Sequence, residues 1–329
     1  MGGLSGALGS PFLTIVMTGR HDNYGGDFNQ RFFGALAFNQ ARLAERHIAF
    51  EVVLVEWNPV PGRPYLSDVL ARDCPQLATA VRRFVVAPQY HMALTQNPRL
   101  EFLEYVAKNV GIRRAAAPFV LVTNTDVLLG RHVVETIASG HLREGTVYRA
   151  ARYDIKLGAD QSGIGWDALE DPANQVRRPS LQPPLFAGGS GDFALADRAT
   201  LDELRGYNEV YRMGKHGIDH NFLVKAHGAG VAIADIGGPV YHINHVGSYR
   251  ISKAQYRDNP AEAPWGDSRW HSRSVVYSNA DGWGLAGAPS RTLSDGSVFL
   301  EFDWRAVPPL VDLRRVVLPA RTADAAEAG

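Results

Sequence analysis

The sequence predicts an α/β fold with a mostly parallel central sheet flanked by helices, followed by a C-terminal extension. Three observations predict it. Short, unbroken β-branched runs recur along the first half of the chain, as suits strands buried on both faces. Stretches with helical spacing of apolar residues, or with helix-compatible composition, separate them. The 329 residues also suffice to bury a core without disulfides.

The elements follow in order. Phe12-Leu13-Thr14-Ile15-Val16-Met17 reads as a first strand that stops at Thr18-Gly19. A polar, glycine-rich loop runs from Gly19 to Asp27, and residues 29–46 read as a helix whose apolar face holds Phe32, Phe33, Leu36 and Leu43. Glu51 to Glu56 is a second strand, ended by Trp57-Asn58-Pro59 and a proline-rich loop to Pro64. Arg83 to Ala87 is a third strand. Residues 100–116 read as a helix closed by Pro118. Phe119 to Thr123 is a fourth strand that runs into Asn124-Thr125-Asp126, with another helix from about Arg131.

The second half is looser. Residues 156–186 are rich in Gly, Pro, Asp and Gln and read as a structureless binding loop or lid. Beyond it come a strand near Phe193, helices near 199–205 and 219–227, and strands at 231–236 and 240–243. Residues 246–290 carry three of the six tryptophans with weak periodicity. Among their aromatics, Trp265, Trp270, Tyr277 and Trp283 read chiefly as packing groups. Ser297 to Trp304 offers a last strand, and 321–329 a small, polar, disordered tail. The expected organisation is a catalytic domain over 1–250 and an extension over 251–329 that packs on it.

Composition narrows the function. Lys plus Arg is 34 and Asp plus Glu is 34, so the formal charge is zero, which speaks against nucleic acid as partner. Cys74 is the single cysteine, which excludes an internal disulfide framework and a Cys-based zinc site and fits a cytoplasmic address. No apolar run reaches the ~18 residues of a membrane span, and Met1 to Ser10 does not read as a signal peptide. Peripheral membrane contact and the oligomeric state stay open. Gly188 to Gly191 is not a dinucleotide fingerprint, and no phosphate-binding Gly-x-x-x-x-Gly-Lys loop or Gly-x-Ser-x-Gly elbow occurs.

Asn124-Thr125-Asp126 is the sharpest local feature. A carboxylate at a strand's carboxyl end can hold a hard divalent cation, and the same residue types also suit a helix cap. The stretch Ala107-Lys108-Asn109-Val110-Gly111 through Asp126 resembles the nucleotide-sugar glycosyltransferases of the GT-A (Rossmann-like) fold, with Lys108 where that family often has Arg and Asn124 where it has the first Asp. Gly188-Gly189-Ser190-Gly191-Asp192-Phe193, Gly206-Tyr207-Asn208-Glu209 and Gly217-Ile218-Asp219-His220-Asn221 follow in the family's order, so the resemblance covers residues 12–250.

The resemblance implies transfer of a sugar from a nucleotide-diphosphate sugar to a glycan or small-molecule acceptor hydroxyl, assisted by Mn²⁺ or Mg²⁺. It implies donor contacts from Thr18, Arg20, Asp22, Glu56, Asn109, Arg113, Asn124, Asp126 and Gly189, with Asp219 and Asp192 on the catalytic side. Asp219 equally suits a helix N-cap. For the metal it implies Asp126 with His245, and His242 second. Three residues apart in extended chain, the two histidines point to opposite faces, so one of them is expected at the site. Two rival readings remain: a sugar nucleotidyltransferase, and a non-catalytic nucleotide- or sugar-binding protein, which the missing acid at Asn124 would favour.

Overall fold

In the computed structural model, residues 10–156, 163–177, 181–189, 191–212, 217–245 and 278–309 are described. The chain opens with β1 (Leu13–Gly19), α1 (Phe28–Glu45), β2 (Phe50–Trp57), α2 (Leu66–Asp73), α3 (Pro75–Ala78) and β3 (Val81–Val86). It continues through α4 (Pro88–Leu94), α5 (Glu104–Arg113), β4 (Phe119–Thr123), β5 (Val127–Leu129), α6 (Arg131–Ala138) and β6 (Thr146–Ile155). Then come α7 (Trp166–Glu170), β7 (Gln175–Arg177), β8 (Phe193–Asp197), α8 (Arg198–Glu203), α9 (Ile218–Gly228), β9 (Ala232–Ile243), β10 (Ser290–Thr292) and β11 (Val298–Leu300).

The strands form one sheet in the order β10-β11-β3-β2-β1-β4-β8-β6-β9-β5, with β7 paired to β6. Its first half, from β11 to β4, is the expected parallel sheet. Beyond β4 the sheet is mixed: β8 runs antiparallel to β4 and β6, β6 runs parallel to β9, and β5 antiparallel to β9. The parallel half is built from the apolar runs that predict it. Along β1, Leu13, Ile15 and Met17 face one core and Val16 the other, as the two-residue strand period requires. Helix α1 covers the first face with Phe32, Leu36 and Leu43; α5 covers the second with Val106, Val110 and Ile112. Each such side chain, fully buried, contributes about 1.5–3 kcal/mol. Gly111 sets how close α5 sits, since a Cβ there would lie 2.4 Å from Val16 Cγ1.

Three expectations change. The lid stretch is not structureless where it is described: it contains α7 and β7, and Trp166 is buried with its indole N–H donating to Leu129 O at 3.0 Å. Burial of one large aromatic anchors a segment whose composition reads as loop. The two strands expected at 231–236 and 240–243 are one strand, β9, interrupted in pairing around Gly237, which has φ +94°. Strands β5 and β6 were not expected at all. The extension, in turn, adds β10 and β11 to the sheet beside β3, and buries Trp283 and Leu285 against the α5 side of the core. Residues 157–162 and 178–180 of the lid stretch, Trp265, Trp270, Tyr277 and the tail over 321–329 lie outside the described residues, as does the start of the chain over 1–9. No described helix is long and apolar enough to cross a membrane.

Candidate functional site

Parallel β1, β2 and β4 bring Thr18, Glu56 and Asn124 to one rim, the carboxyl edge of the sheet. Since β6 and β9 run in the same sense as β4, their carboxyl ends reach that rim too. There Asp126, in the link between β4 and β5, meets the end of β9. The meeting is fixed by backbone pairing: Val127 is in register with His242, and Ile243 N–H donates to Asp126 O at 2.9 Å. Buried Asn39 of α1 locks the β5 edge, donating to Val127 O at 2.8 Å and accepting from Leu129 N–H at 2.9 Å.

His245 Nε2 lies 3.1 Å and His242 Nε2 3.6 Å from Asp126 Oδ2, and one ligand atom from each of the three residues falls within 4.8 Å of the others. Both histidines therefore reach the site, where strand alternation predicts one. The reason is that β9 ends at Ile243, so His245 is past the last pleat and free of its period. Burial would raise the Asp126 carboxyl, but the charge of His242 and hydrogen bonds from His242 and His245 outweigh it and hold the group well below the usual carboxylate range. Burial likewise disfavours a charged His242 ring, and Asp126 with Asp154 more than offsets it, so the imidazole is pushed up.

A single carboxylate oxygen and two imidazole nitrogens suit a first-row transition cation, whereas Mg²⁺ prefers an all-oxygen shell. Of the two ions that the sequence resemblance implies, Mn²⁺ is the better match. Atoms each ~2.1 Å from one ion lie no more than ~4.2 Å apart. The two Asp126 distances already satisfy that limit.

Behind this cluster stands a chain of buried charges, of which the sequence names only Asp192. Arg152 Nη1 donates to Asp192 Oδ2 at 2.6 Å, and its Nε and Nη2 donate to Asp154 Oδ1 at 2.9 and 2.7 Å. Asp154 Oδ1 in turn lies 3.3 Å from His242 Nδ1. Despite its burial, Asp154 is driven far below the usual range by a hydrogen bond from His242 and by Arg152. Arg31 of α1 approaches from the other side, with Nε 4.0 Å from Asp126 Oδ2, and donates to the carbonyls of Tyr24 and Gly26, tying the glycine-rich loop to the cluster. Tyr24 also meets His245 edge-on at 5.4 Å.

The remaining residues distribute as follows. Lys108, fully buried, donates to Glu104 Oε1, Asn124 Oδ1 and Gly191 O, so its three ammonium protons are all used. Asn124 Nδ2 donates to Asp192 Oδ1 at 2.9 Å. An aspartate at 124 could not donate there and would face a second carboxylate, which explains the amide where the resembling family has an acid. Asp192 thus joins Asn124 to Arg152. Asp219, in the first turn of α9, lies by Gly191: a Cβ on that glycine would sit 3.6 Å from Asp219 Oδ2 and 3.0 Å from Tyr105 Oη. Gly189 adopts φ +61°, and a Cβ there would press on Arg152 Cβ at 2.9 Å.

Other residues named from sequence are engaged away from the cluster. Arg20 donates to Asn58 O and pairs with Asp22 and Glu101, while Asp22 accepts from Tyr24 N–H within its own loop. Thr18 is buried at the end of β1. Glu56, 1% exposed, accepts from Leu66 N–H at 2.6 Å, and burial pushes its carboxyl up to about 7. Asn109 bonds Tyr207 N–H and O and Glu209, and Arg113 stacks on Trp283 at 4.8 Å; both fasten the later chain to α5.

No protein-family model and no curated protein matches this chain. Among solved structures it is similar to the catalytic domain of Drosophila β1,4-galactosyltransferase 7 in complex with xylobiose, at 13% identity, over 90% of this chain and 96% of that one, with a TM-score of 0.39. A likeness of that size carries no residue correspondence, so the chemistry of the rim rests on its own geometry.

Proposed function

We propose that this protein is a glycosyltransferase that moves a sugar from a nucleotide-diphosphate sugar to an acceptor hydroxyl with the help of a divalent cation. The observation that carries the reading is the convergence of Asp126, His242 and His245 at the carboxyl rim of a half-parallel sheet, where open α/β sheets bind ligands. These three residues would hold the cation, which when bound offsets the charge of the departing diphosphate. Asp126 and Arg31 keep the glycine-rich loop against the site. Asp219 would face the acceptor hydroxyl from the Gly191 side and take its proton as the sugar is transferred. The network of Asn124, Asp192 and Arg152 keeps that wall rigid.

Incubation with a panel of nucleotide-diphosphate sugars and Mn²⁺ tests the reading. Release of nucleoside diphosphate, lost in Asp126→Ala while the variant stays folded, is the expected result. Release of pyrophosphate would mark a nucleotidyltransferase instead, and saturable donor binding without turnover a binding protein.

A further inference from the structure

We infer that Tyr105 is a second contact for the acceptor: its hydroxyl and the Asp219 carboxylate hold the reacting hydroxyl of a saccharide between them, in a slot that Gly191 keeps open. The inference rests on the glycosyltransferase reading and adds to it the residue that orients the nucleophile.

The slot is defined by what the glycine leaves out. A Cβ at position 191 would lie 3.0 Å from Tyr105 Oη and 3.6 Å from Asp219 Oδ2, so the two oxygens flank the space in which any other residue would put its side chain. Tyr105 is 5% exposed, and no described residue hydrogen-bonds its hydroxyl. A buried hydroxyl left without a partner is destabilising, and a ligand oxygen in the slot would relieve it.

The pair suits one chemistry. Burial, and then the charges of Asp219 and Glu104, push the Tyr105 phenol well above its usual range, so it stays a hydrogen-bond donor. Asp219 is an acceptor with about four lone-pair sites, so its other contacts leave it able to take one more. A donor beside an acceptor matches a group that is both, as an alcohol is. A phosphate oxygen would meet the Asp219 charge, and an ammonium would leave the phenol proton unused. In the transfer step the acceptor O–H gives its proton to Asp219. One lone pair of its oxygen accepts from Tyr105. The other forms the bond to the sugar carbon as the bond from that carbon to the diphosphate oxygen breaks and the diphosphate keeps the electron pair. Tyr105 thus aims the attacking lone pair.

Packing holds the two oxygens in place. Tyr105 packs on Tyr207 with ring centroids 5.0 Å apart, and Tyr207 on Phe222 at 4.7 Å. Phe222 is three residues beyond Asp219 on α9, on the same side of the helix, so this aromatic row couples Tyr105 of α5 to Asp219. Gly191 is fixed from α5 as well: Lys108 Nζ donates to Gly191 O at 2.9 Å and lies 4.9 Å from the centre of the Tyr105 ring. Thr123 Oγ1 secures the next carbonyl, Asp192 O, at 2.7 Å.

The test is initial-rate kinetics on the unaltered protein, Tyr105→Phe and Gly191→Ala, with a panel of nucleotide-diphosphate sugars, Mn²⁺, and methyl hexosides and pentosides as acceptors. Calorimetric titration of Mn²⁺ accompanies it. The expected result for Tyr105→Phe is a fall of about tenfold in kcat/KM for the acceptor, the size of one hydrogen bond, with the donor KM and the Mn²⁺ affinity within about twofold of the unaltered protein. Gly191→Ala, whose methyl fills the slot, should lose about a hundredfold or more in the same constant. A merely structural role for Tyr105 would lower the melting temperature and disturb donor and acceptor constants together, and that result overturns the inference. So does an acceptor kcat/KM in Tyr105→Phe within about twofold of the unaltered protein. Should Gly191→Ala not fold, Tyr105→Phe alone decides. Hydrolysis of a donor by the unaltered protein with no transfer to any saccharide overturns the inference while the donor site stands. Failure to release nucleoside diphosphate from any donor overturns the glycosyltransferase reading and the inference with it.

Discussion

Glu56 and Asp154 are both 1% exposed carboxyl groups at the same rim of one sheet, and their surroundings drive them in opposite directions. Glu56, at the end of β2 in the parallel half, is held by backbone N–H groups of Leu66, His21 and Ser67; burial dominates and lifts it to about 7. Asp154, at the end of β6 in the mixed half, suffers the same burial, but His242 and Arg152 outweigh it. Backbone amides bring only partial charges, whereas a guanidinium brings a whole one. The parallel half is thus a scaffold in which a buried acid is shifted toward its neutral form. The mixed half is where charge is kept, and that is where the cluster able to hold a cation lies.

The comparison can be broken most forcefully at Asp192. Asp192→Ala strips Arg152 of a partner at 2.6 Å in a site where the two side chains are 13% and 4% exposed. Removing one member of such a pair should cost roughly 3–5 kcal/mol in denaturant unfolding; a loss below about 1 kcal/mol would show that the mixed half does not depend on its charges.

Glu56→Gln probes the other half. The folded carboxyl titrates near 7 against an ordinary 4.5, so the folded state holds a proton that the unfolded chain has lost. The Glu56 contribution is therefore fully present below about pH 4.5, declines as pH rises, and is gone above about pH 7, a change of roughly 3 kcal/mol. For Asp154 the sign is reversed, with stability lost as pH falls below the usual carboxylate range. Denaturation at about pH 5 and about pH 8 should show the glutamine variant gaining on the unaltered protein at the higher pH, and parallel curves would refute the assignment.

A smaller effect is expected at the rim itself. His245→Ala should weaken Mn²⁺ binding about tenfold or more, equivalent to ~1.4 kcal/mol. Unchanged affinity would assign the cation to other ligands. The slightest expected change is in hydrogen exchange across 163–177, where β7 pairs with β6. Donor with cation should slow it by closing the rim, and identical exchange with and without them would leave that segment an ordinary surface excursion.

Residue type and burial explain which parts of this structure are legible in the sequence. Strands β1, β2 and β4 are apolar runs buried on both faces, and the burial that forms them also writes them into the sequence. Strand β6 is hidden for the opposite reason: Arg149, Arg152 and Asp154 interrupt it with charges that read as surface but lie in the interior, Arg152 and Asp154 as a pair. With β6 unrecognised, the positions of Arg152 and Asp154 on one face of a strand could not be seen, although their spacing of two residues carries that information. Asp126 and the two histidines were legible as ligand types near strand ends. That Asn124 is engaged with Lys108 and Asp192 was not, because no local pattern joins residues 16 and 68 positions apart.

The central claim is that Asp126, His242 and His245 form a divalent-cation site that serves a diphosphate-bearing donor. Calorimetric titration of Mn²⁺ into the protein and into Asp126→Asn, each with and without a nucleoside diphosphate, tests it most directly. The account predicts one saturable site in the unaltered protein, tightened by the diphosphate and weakened about a hundredfold or more in the variant. Equal binding by the two proteins, or binding that the diphosphate leaves unchanged, would contradict it.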